Sequence, residues 1–407
     1  MDRPMTAPQI TGRPDALVIG LVSLAHLLSH FYQVILGPLF PLLKVEFGVS
    51  YTALGFIISL FYGVSGVCQA FVGILVDRWG GDRLMLFGIV AMASAVLLMS
   101  FAPAYWVFLP LAVLAALGNC VFHPADLSIL SAKVDPSRLG RAFGLHGFGG
   151  TCGYFLSPVI VLGVASVAGW RAGLAFAAIL GLAAALLVYH YRHALAMPRQ
   201  TALEERENGD QADIAFYKGL ITNGPLVSAF FYFALVAGAL AGLQSFSVGA
   251  FVEIYSAPIY LAAAGITVYL GGVAVGILFG GELADRLRYP TAIACTSLAL
   301  AAMIMACVGW LDLPMTVNIG LLAIIGFCSG VSQPSRDILV KSAAPAGASG
   351  KTFGFVYSGL DFGGAIGPIA FGWLMDGGHH RWVFLGTALL FAIAVFTVLQ
   401  LSKGSRQ

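Results

Sequence analysis

Read for its apolar and polar positions, the chain is a succession of long apolar runs parted by short polar breaks. Nearly every run reaches about 18 residues or more, enough to cross a hydrocarbon core of about 30 Å as a helix. The pattern predicts twelve spans, at 17–43, 52–76, 84–102, 106–132, 141–167, 170–190, 223–250, 259–283, 290–310, 315–341, 350–375 and 380–400. One long polar segment, 192–218, carries RQTALEERENGDQAD between the sixth and seventh spans and reads as a linker. The expected organisation is therefore a first six-helix half at 1–191, a cytoplasmic linker, and a second half at 219–407. Backbone groups in lipid have no water to bond, so spans of this kind must be helices and the fold class is an all-α membrane protein.

The polar breaks also repeat. The stretch FHPADLSILSAKVDPSRLGRAFGLHGFGGTCGYFLSP from Phe122 aligns without a gap on SQPSRDILVKSAAPAGASGKTFGFVYSGLDFGGAIGP from Ser332. Pro124 meets Pro334, Gly140 meets Gly350, Arg141 meets Lys351, Gly149 meets Gly359, Gly153 meets Gly363 and Pro158 meets Pro368. A second pair, GILVDRWGGDR from Gly73 and GELADRLR from Gly281, recurs in the same order at nearly the same offset. Such recurrence predicts two parallel repeats related by an axis along the bilayer normal.

Composition agrees with the pattern, because 59% hydrophobic and 10% charged residues leave too little polar side chain to wet a soluble surface. The net charge of +2 says nothing about nucleic acid, since the basic residues follow topology. Seventeen of the 21 Lys and Arg residues fall at the termini, in the linker and in the loops on that same side. The opposite loops hold only Lys44, Arg171 and Arg381, which places both termini and the linker in the cytoplasm. The six cysteines lie inside spans without paired spacing and read as packing residues rather than a disulfide or metal framework. The first apolar run is too long for the core of a signal peptide and is expected to be retained.

The loop Gly73-x-Leu75-x-Asp77-Arg78-x-Gly80-Gly81-x-Arg83, with its shorter copy at Gly281-x-x-x-Asp285-Arg286, resembles the cytoplasmic motif of the major facilitator superfamily. The phrase SHFYQVILGPLFPLLKVEF from Ser29 and the triplet Phe122-His123-Pro124 resemble the fosmidomycin-resistance type of bacterial exporter within it. The resemblance implies the twelve-helix fold in two six-helix halves with a central cavity, and a monomer of the bacterial inner membrane. It further implies movement of a small solute by alternating access, with proton-driven efflux in the narrower group. Span five departs from the pattern common in antiporters of the family, because Ser157 precedes Pro158; the fuller Gly363-x-x-x-Gly367-Pro368 stands in span eleven.

The loop motif itself reads as a structural latch. Asp77 and Asp285 can face helix amino termini, where the dipole favours negative charge, while Arg78, Arg83 and Arg286 can pair with nearby acids. Span one presents Ser23, His26, His30, Gln33 and Gly37 at spacings of three and four, one face of a helix. Polar side chains inside a bilayer face protein or a water-filled cavity. Two readings stay open: neutral histidines donating to carbonyls or serines, and histidines that bind substrate or protons. No metal is expected, because that face offers neither a carboxylate nor a third ligand.

Span four sets Asn119, His123 and Asp126 on one face, and span ten answers with Ser329, Gln333 and Arg336, beside Asp337. An always-charged Arg336 at that depth needs an anionic substrate, Asp126 or Asp337 as partner. Asp126 and Arg336 hold matching repeat positions, so they are expected to meet as a gate when the cytoplasmic side closes. The competing reading puts Asp126 in the latch with Arg83 and Arg336 on substrate. Asp361, near mid-bilayer in YSGLDFGG, keeps a charge there only if something pairs with it. Tyr357, Ser358 and His146 are the candidate partners; proton carriage is the alternative.

Titratable groups at several depths, Asp361, His30, His123 and His146, suit proton coupling. The expected cavity is lined by His26, His30, Gln33, Asn119, His123, Gln333, Arg336 and Tyr357. Nothing resembles a nucleotide-binding loop, so neither a cofactor nor ATP coupling is expected. A membrane enzyme would need a clustered nucleophile and base, or a metal set that the His26–His30 pair does not supply. The sequence therefore points to a secondary transporter partnered by a small molecule, protons and lipid, either an exporter or an importer of an organic anion; a non-transporting receptor of the same fold is the remaining class.

Overall fold

The computed structural model describes residues 13–135, 138–196, 222–287, 289–343 and 349–404, and among these no strand occurs. The first part of the chain forms α1 (Arg13–Gln33), α2 (Phe40–Phe47), α3 (Tyr51–Trp79), α4 (Gly81–Ser100), α5 (Phe108–Asn119), α6 (Phe122–Lys133), α7 (Leu139–His190) and the single turn α8 (Arg192–Leu195). After the linker come α9 (Gly224–Tyr255), α10 (Ile259–Leu287), α11 (Pro290–Trp310), α12 (Met315–Ala343), α13 (Ser349–Asp376) and α14 (Trp382–Gly404). Among the described residues, ten segments are long and apolar enough to cross a membrane. The expected linker, beyond its first turn, lies outside the described residues, as do the side chains of Asp77 and Asp285.

Two expected spans are interrupted and two run together, each for a local reason. Span one stops at Gln33 and continues through a 3-10 turn, Gly37–Leu39, into α2. A Cβ on Gly37 would stand 2.6 Å from the Gln244 carbonyl oxygen, so α9 presses directly on this turn. Span four divides between α5 and α6 because Pro124 supplies no N–H to the Cys120 carbonyl. Spans five and six run together as α7, broken only at Gly169, whose φ of 83° and ψ of 163° are open to glycine and few other residues.

Lipid tails are as apolar as leucine, so burial does little to drive these helices together, and close van der Waals contact must do the work. Glycine supplies it. A Cβ on Gly153 would overlap the Leu27 carbonyl oxygen of α1, and one on Gly149 would lie 2.8 Å from the Ser23 carbonyl oxygen. In the later part of the chain a Cβ on Gly363 would overlap the Ala234 carbonyl oxygen of α9, and Gly367 sits 2.5 Å by the same measure from that of Gly238. Thus α7 seats on α1, and α13 on α9, through glycines that stand at matching places in the sequence.

The two parts of the chain also meet along a seam between α3 and α13. At one end, the Asp376 carboxylate accepts from the backbone N–H groups of Tyr51 (2.7 Å) and Thr52 (2.8 Å) and from Thr52 Oγ1 (2.5 Å). The last residue of α13 thereby caps the amino terminus of α3, where unpaired N–H groups and the helix dipole favour an anion. Further along, Tyr62 packs on Gly364, and Asp361 packs on Gly66. Loss of an exposed cap of this kind costs about 1 kcal/mol. Asp376→Ala should accordingly shift the balance away from the closed form of this end by about fivefold. Distances between spin labels at Val49 and Gly378 report it as a longer population; an unchanged distribution would count against the clasp.

Candidate functional site

Three helices converge on one buried cluster. Helix α1 contributes His26 and His30 one turn apart, α6 contributes His123 and Asp126, and α7 contributes His146. Asp126 Oδ2 lies 3.1 Å from His146 Nε2 and 3.3 Å from His26 Nδ1. The first contact is a hydrogen bond. The second is within ion-pair reach but not aligned as a hydrogen bond, and His26 Nδ1 has no hydrogen-bond partner. The His26 and His146 rings stack with centroids 3.7 Å apart, while His30 and His123 stand 4.3 and 5.1 Å from His26. Asp126 is fully buried at 0% exposure, His26 and His146 are buried, and His123 is exposed.

The local backbone makes room for this crowd. A Cβ on Gly150 of α7 would stand 2.7 Å from His30 Nδ1 and 2.8 Å from His26 Cδ2, so only glycine admits both rings. The missing N–H of Pro124 separates α5 from α6 and lets the second helix start afresh with His123 and Asp126 in its first two turns.

Beside the cluster runs a chain of side-chain hydrogen bonds. Tyr154 OH donates to Gln33 Oε1 (2.8 Å), Gln33 Nε2 to Asn119 Oδ1 (2.9 Å), and Asn119 Nδ2 to Ser65 Oγ (2.9 Å). The Tyr154 ring also lies 4.4 Å from that of His30, which joins the chain to the histidines. Ser65 adjoins Gly66, where α13 places Asp361: a Cβ on Gly66 would stand 2.6 Å from Asp361 Cβ and 3.4 Å from its Oδ2. Among the described residues Asp361 makes no hydrogen bond and no ion pair, so Tyr357, Ser358 and His146 are not its partners here. Gln33, Tyr62 and Gln244, from both parts of the chain, line a small cavity next to this seam.

Arg336 occupies the other side. Its Nε and Nη2 donate to Asp337 Oδ1 (2.9 Å) and Oδ2 (3.1 Å), and Tyr357 OH donates to Asp337 Oδ1 (3.2 Å). The guanidinium is buried, with its Cζ 4.4 Å from the centroid of Phe233. The expected gate between Asp126 and Arg336 is not formed in this conformation: Asp126 is held by the histidines, and Arg336 by its own neighbour. Nor does Asp126 pair with Arg83, which is exposed, as is Arg78. Arg286 pairs with Glu282 one turn before it on α10. Gln333 lies half-buried on α12, one turn before Arg336.

Sequence reading overlooked Asp376, Tyr154, Tyr62 and Ser65. Asp376 carried a signal, an acid ending a span where the next residues, Gly377 and Gly378, cannot extend the helix well. Tyr154 lay two turns beyond His146 on the same face of span five.

Comparison with known proteins bears on the whole chain. The profile of the Major Facilitator Superfamily matches residues 22–354 and 235–405. An uncharacterized MFS-type transporter of Bacillus subtilis, YfnC, is 25% identical over 405 residues, covering 98% of this chain and 95% of that protein. The fosmidomycin resistance protein of Escherichia coli is 25% identical over 394 residues, covering 94% and 92%. The crystal structure of a bacterial homologue of the human lysosomal transporter Spinster, inward-facing and occupied, superposes with a TM-score of 0.79 at 15% identity, covering 97% of this chain and 98% of that one. With the profile matched across nearly its full length, the chain belongs to the Major Facilitator Superfamily of multi-pass membrane transporters.

Proposed function

We propose that this chain is a proton-coupled secondary active transporter that moves a small organic solute across a bacterial inner membrane by alternating access, with efflux favoured. It works as a monomer of twelve helices, six in each half, with the break at Gly169 dividing α7 into two spans and α13 supplying the eleventh. Both termini and the linker face the cytoplasm. The efflux reading rests on relatives whose names record fosmidomycin resistance and, for MdtG of Citrobacter koseri, 26% identical over 367 residues, multidrug resistance.

The observation that carries proton coupling is Asp361, set without an ion pair against α3 of the other half. A charged carboxylate in that seam keeps water around it, and closing the seam would strip that water at a cost of several kcal/mol. A proton removes the charge and lets the seam close; its release reopens it. Conformation and protonation are then linked, as alternating access driven by a pH gradient requires. A second reading, proton-linked uptake of an organic anion, is favoured by Arg336, which is buried beneath an aromatic ring and held by a carboxylate that an anionic solute could replace.

The test is accumulation in proteoliposomes with an imposed pH gradient, run across cationic, neutral and anionic solutes including fosmidomycin. Gradient-driven accumulation abolished by an uncoupler supports the proposal, and the charge of the accumulated solute chooses between the two readings. Flux that merely equilibrates and ignores the uncoupler would overturn it. Topology has its own check: cysteines at Ala202 or Asn208 should label only from the cytoplasm and one at Asp312 only from outside. External labelling of 202 or 208 would refute the twelve-span arrangement.

A further inference from the structure

We propose that His26, Asp126 and His146 form a binding site for a divalent transition-metal ion of the zinc class. The donors come from three helices, α1, α6 and α7, and their ligand atoms all lie within 4.8 Å of one another. Two imidazoles and one carboxylate form the donor set that zinc, cobalt and nickel prefer over magnesium or calcium, which take all-oxygen sites. A tetrahedral ion with bonds of about 2.1 Å sets its ligands about 3.4 Å apart, and the two contacts to Asp126 Oδ2 measure 3.3 and 3.1 Å. The His26 and His146 rings, stacked here at 3.7 Å, must turn on their side-chain bonds to aim both nitrogens at one ion, which replaces the His146–Asp126 hydrogen bond.

The cluster is incomplete as it stands. His26 Nδ1, Asp126 Oδ1 and His30 Nδ1 are buried without a hydrogen-bond partner, and unpaired buried polar atoms are unusual. No Lys or Arg among the described residues pairs with Asp126, so this fully buried carboxylate has only histidines beside it. A dipositive ion answers both deficits, satisfying the orphaned nitrogen of His26 and the carboxylate together. Exposed His123, with its ring 5.1 Å from that of His26, marks the way in, and the fourth position of the ion is left to water. The face of α1 alone lacked a carboxylate and a third ligand; both arrive from α6 and α7. The site is independent of transport direction and coupling.

The experiment uses the full chain, purified through a tag without histidine, stripped with chelator, and titrated with Co²⁺ and then Zn²⁺. About one equivalent of Co²⁺ should bind with the intense visible bands of a four-coordinate site, and Zn²⁺ should abolish them. Asp126→Asn and His146→Gln should each weaken binding by about 100-fold or more, since even outer-shell changes give 10–100-fold. The variant His379→Gln with His380→Gln, which removes an exposed and a half-buried histidine elsewhere, should bind as the native chain does. Metal-free melting of each variant establishes that it is folded, and His26→Gln replaces any that is not. Failure of the native chain to bind at 100 µM metal, equal binding by the folded variants of the cluster, or loss only in the His379/His380 variant would each overturn the site.

Discussion

Asp361→Asn is expected to abolish accumulation driven by a pH gradient, by about 100-fold or more, while exchange of solute across the same membrane stays within about threefold of native. The asymmetry follows from what the amide keeps and what it loses. Asparagine has almost the volume of aspartate and can still hydrogen-bond, so the packing of α13 on Gly66 survives. It cannot take up or release a proton. The α3–α13 seam then behaves as if permanently neutralised, free to close with or without a proton, and solute movement is no longer tied to the gradient. Exchange needs only the closing and reopening, which the neutral side chain permits. Undiminished pH-driven accumulation in this variant would remove Asp361 from the mechanism. Loss of exchange together with accumulation would show instead that Asp361 binds solute or holds the fold.

Gly153→Leu is expected to prevent folding in the membrane or leave a protein that aggregates on extraction. At that position even a methyl group overlaps the Leu27 carbonyl oxygen, an atom of helical backbone that no side-chain rotation can move. Helices α1 and α7 would have to separate, and with them the elements that place His26, His30 and His146. Overpacking that only strains side chains costs about 1–3 kcal/mol, and a forced backbone shift lies at or beyond the upper end of that range. Gly144→Leu, on the same helix with nothing within 4 Å of the built Cβ, is the control and should extract and melt like the native chain. Size-exclusion profiles and melting in detergent read the comparison; a monodisperse Gly153→Leu with native melting would contradict the account of how α7 is seated.

The fold was largely legible because a bilayer imposes so simple a rule. Apolar runs of spanning length cannot be anything but helices, and the glycines that the alignment paired, Gly149 with Gly359 and Gly153 with Gly363, turn out to make the same kind of contact on α1 and α9. The breaks were harder to read. Pro124 and Pro334 look alike in sequence, yet α6 starts anew around Pro124 while α12 continues through Pro334, because helix continuity depends on what surrounds the freed carbonyl. The site was legible as a set of residues but not as a constellation. Periodicity placed His26, His30 and Gln33 on one face of α1, and Asn119, His123 and Asp126 on another, but it could not say which faces meet. Matching depth made Arg336 look like the partner of Asp126, whereas Asp126 meets the histidines of its own half and Arg336 is held by the adjacent Asp337. Asp376 shows the same limit, since an acid at the end of a span is visible in the sequence but the helix that it caps is not.

The central claim is that solute and protons move together, and the most direct measurement is of the proton itself. Proteoliposomes holding the native chain and a trapped pH dye, with no imposed gradient, receive a pulse of a transported solute. Coupled movement predicts a pH change that scales with the solute moved, keeps a fixed ratio across solute concentrations, and vanishes in Asp361→Asn although solute still exchanges. Solute movement with no pH change in the native chain would contradict the account.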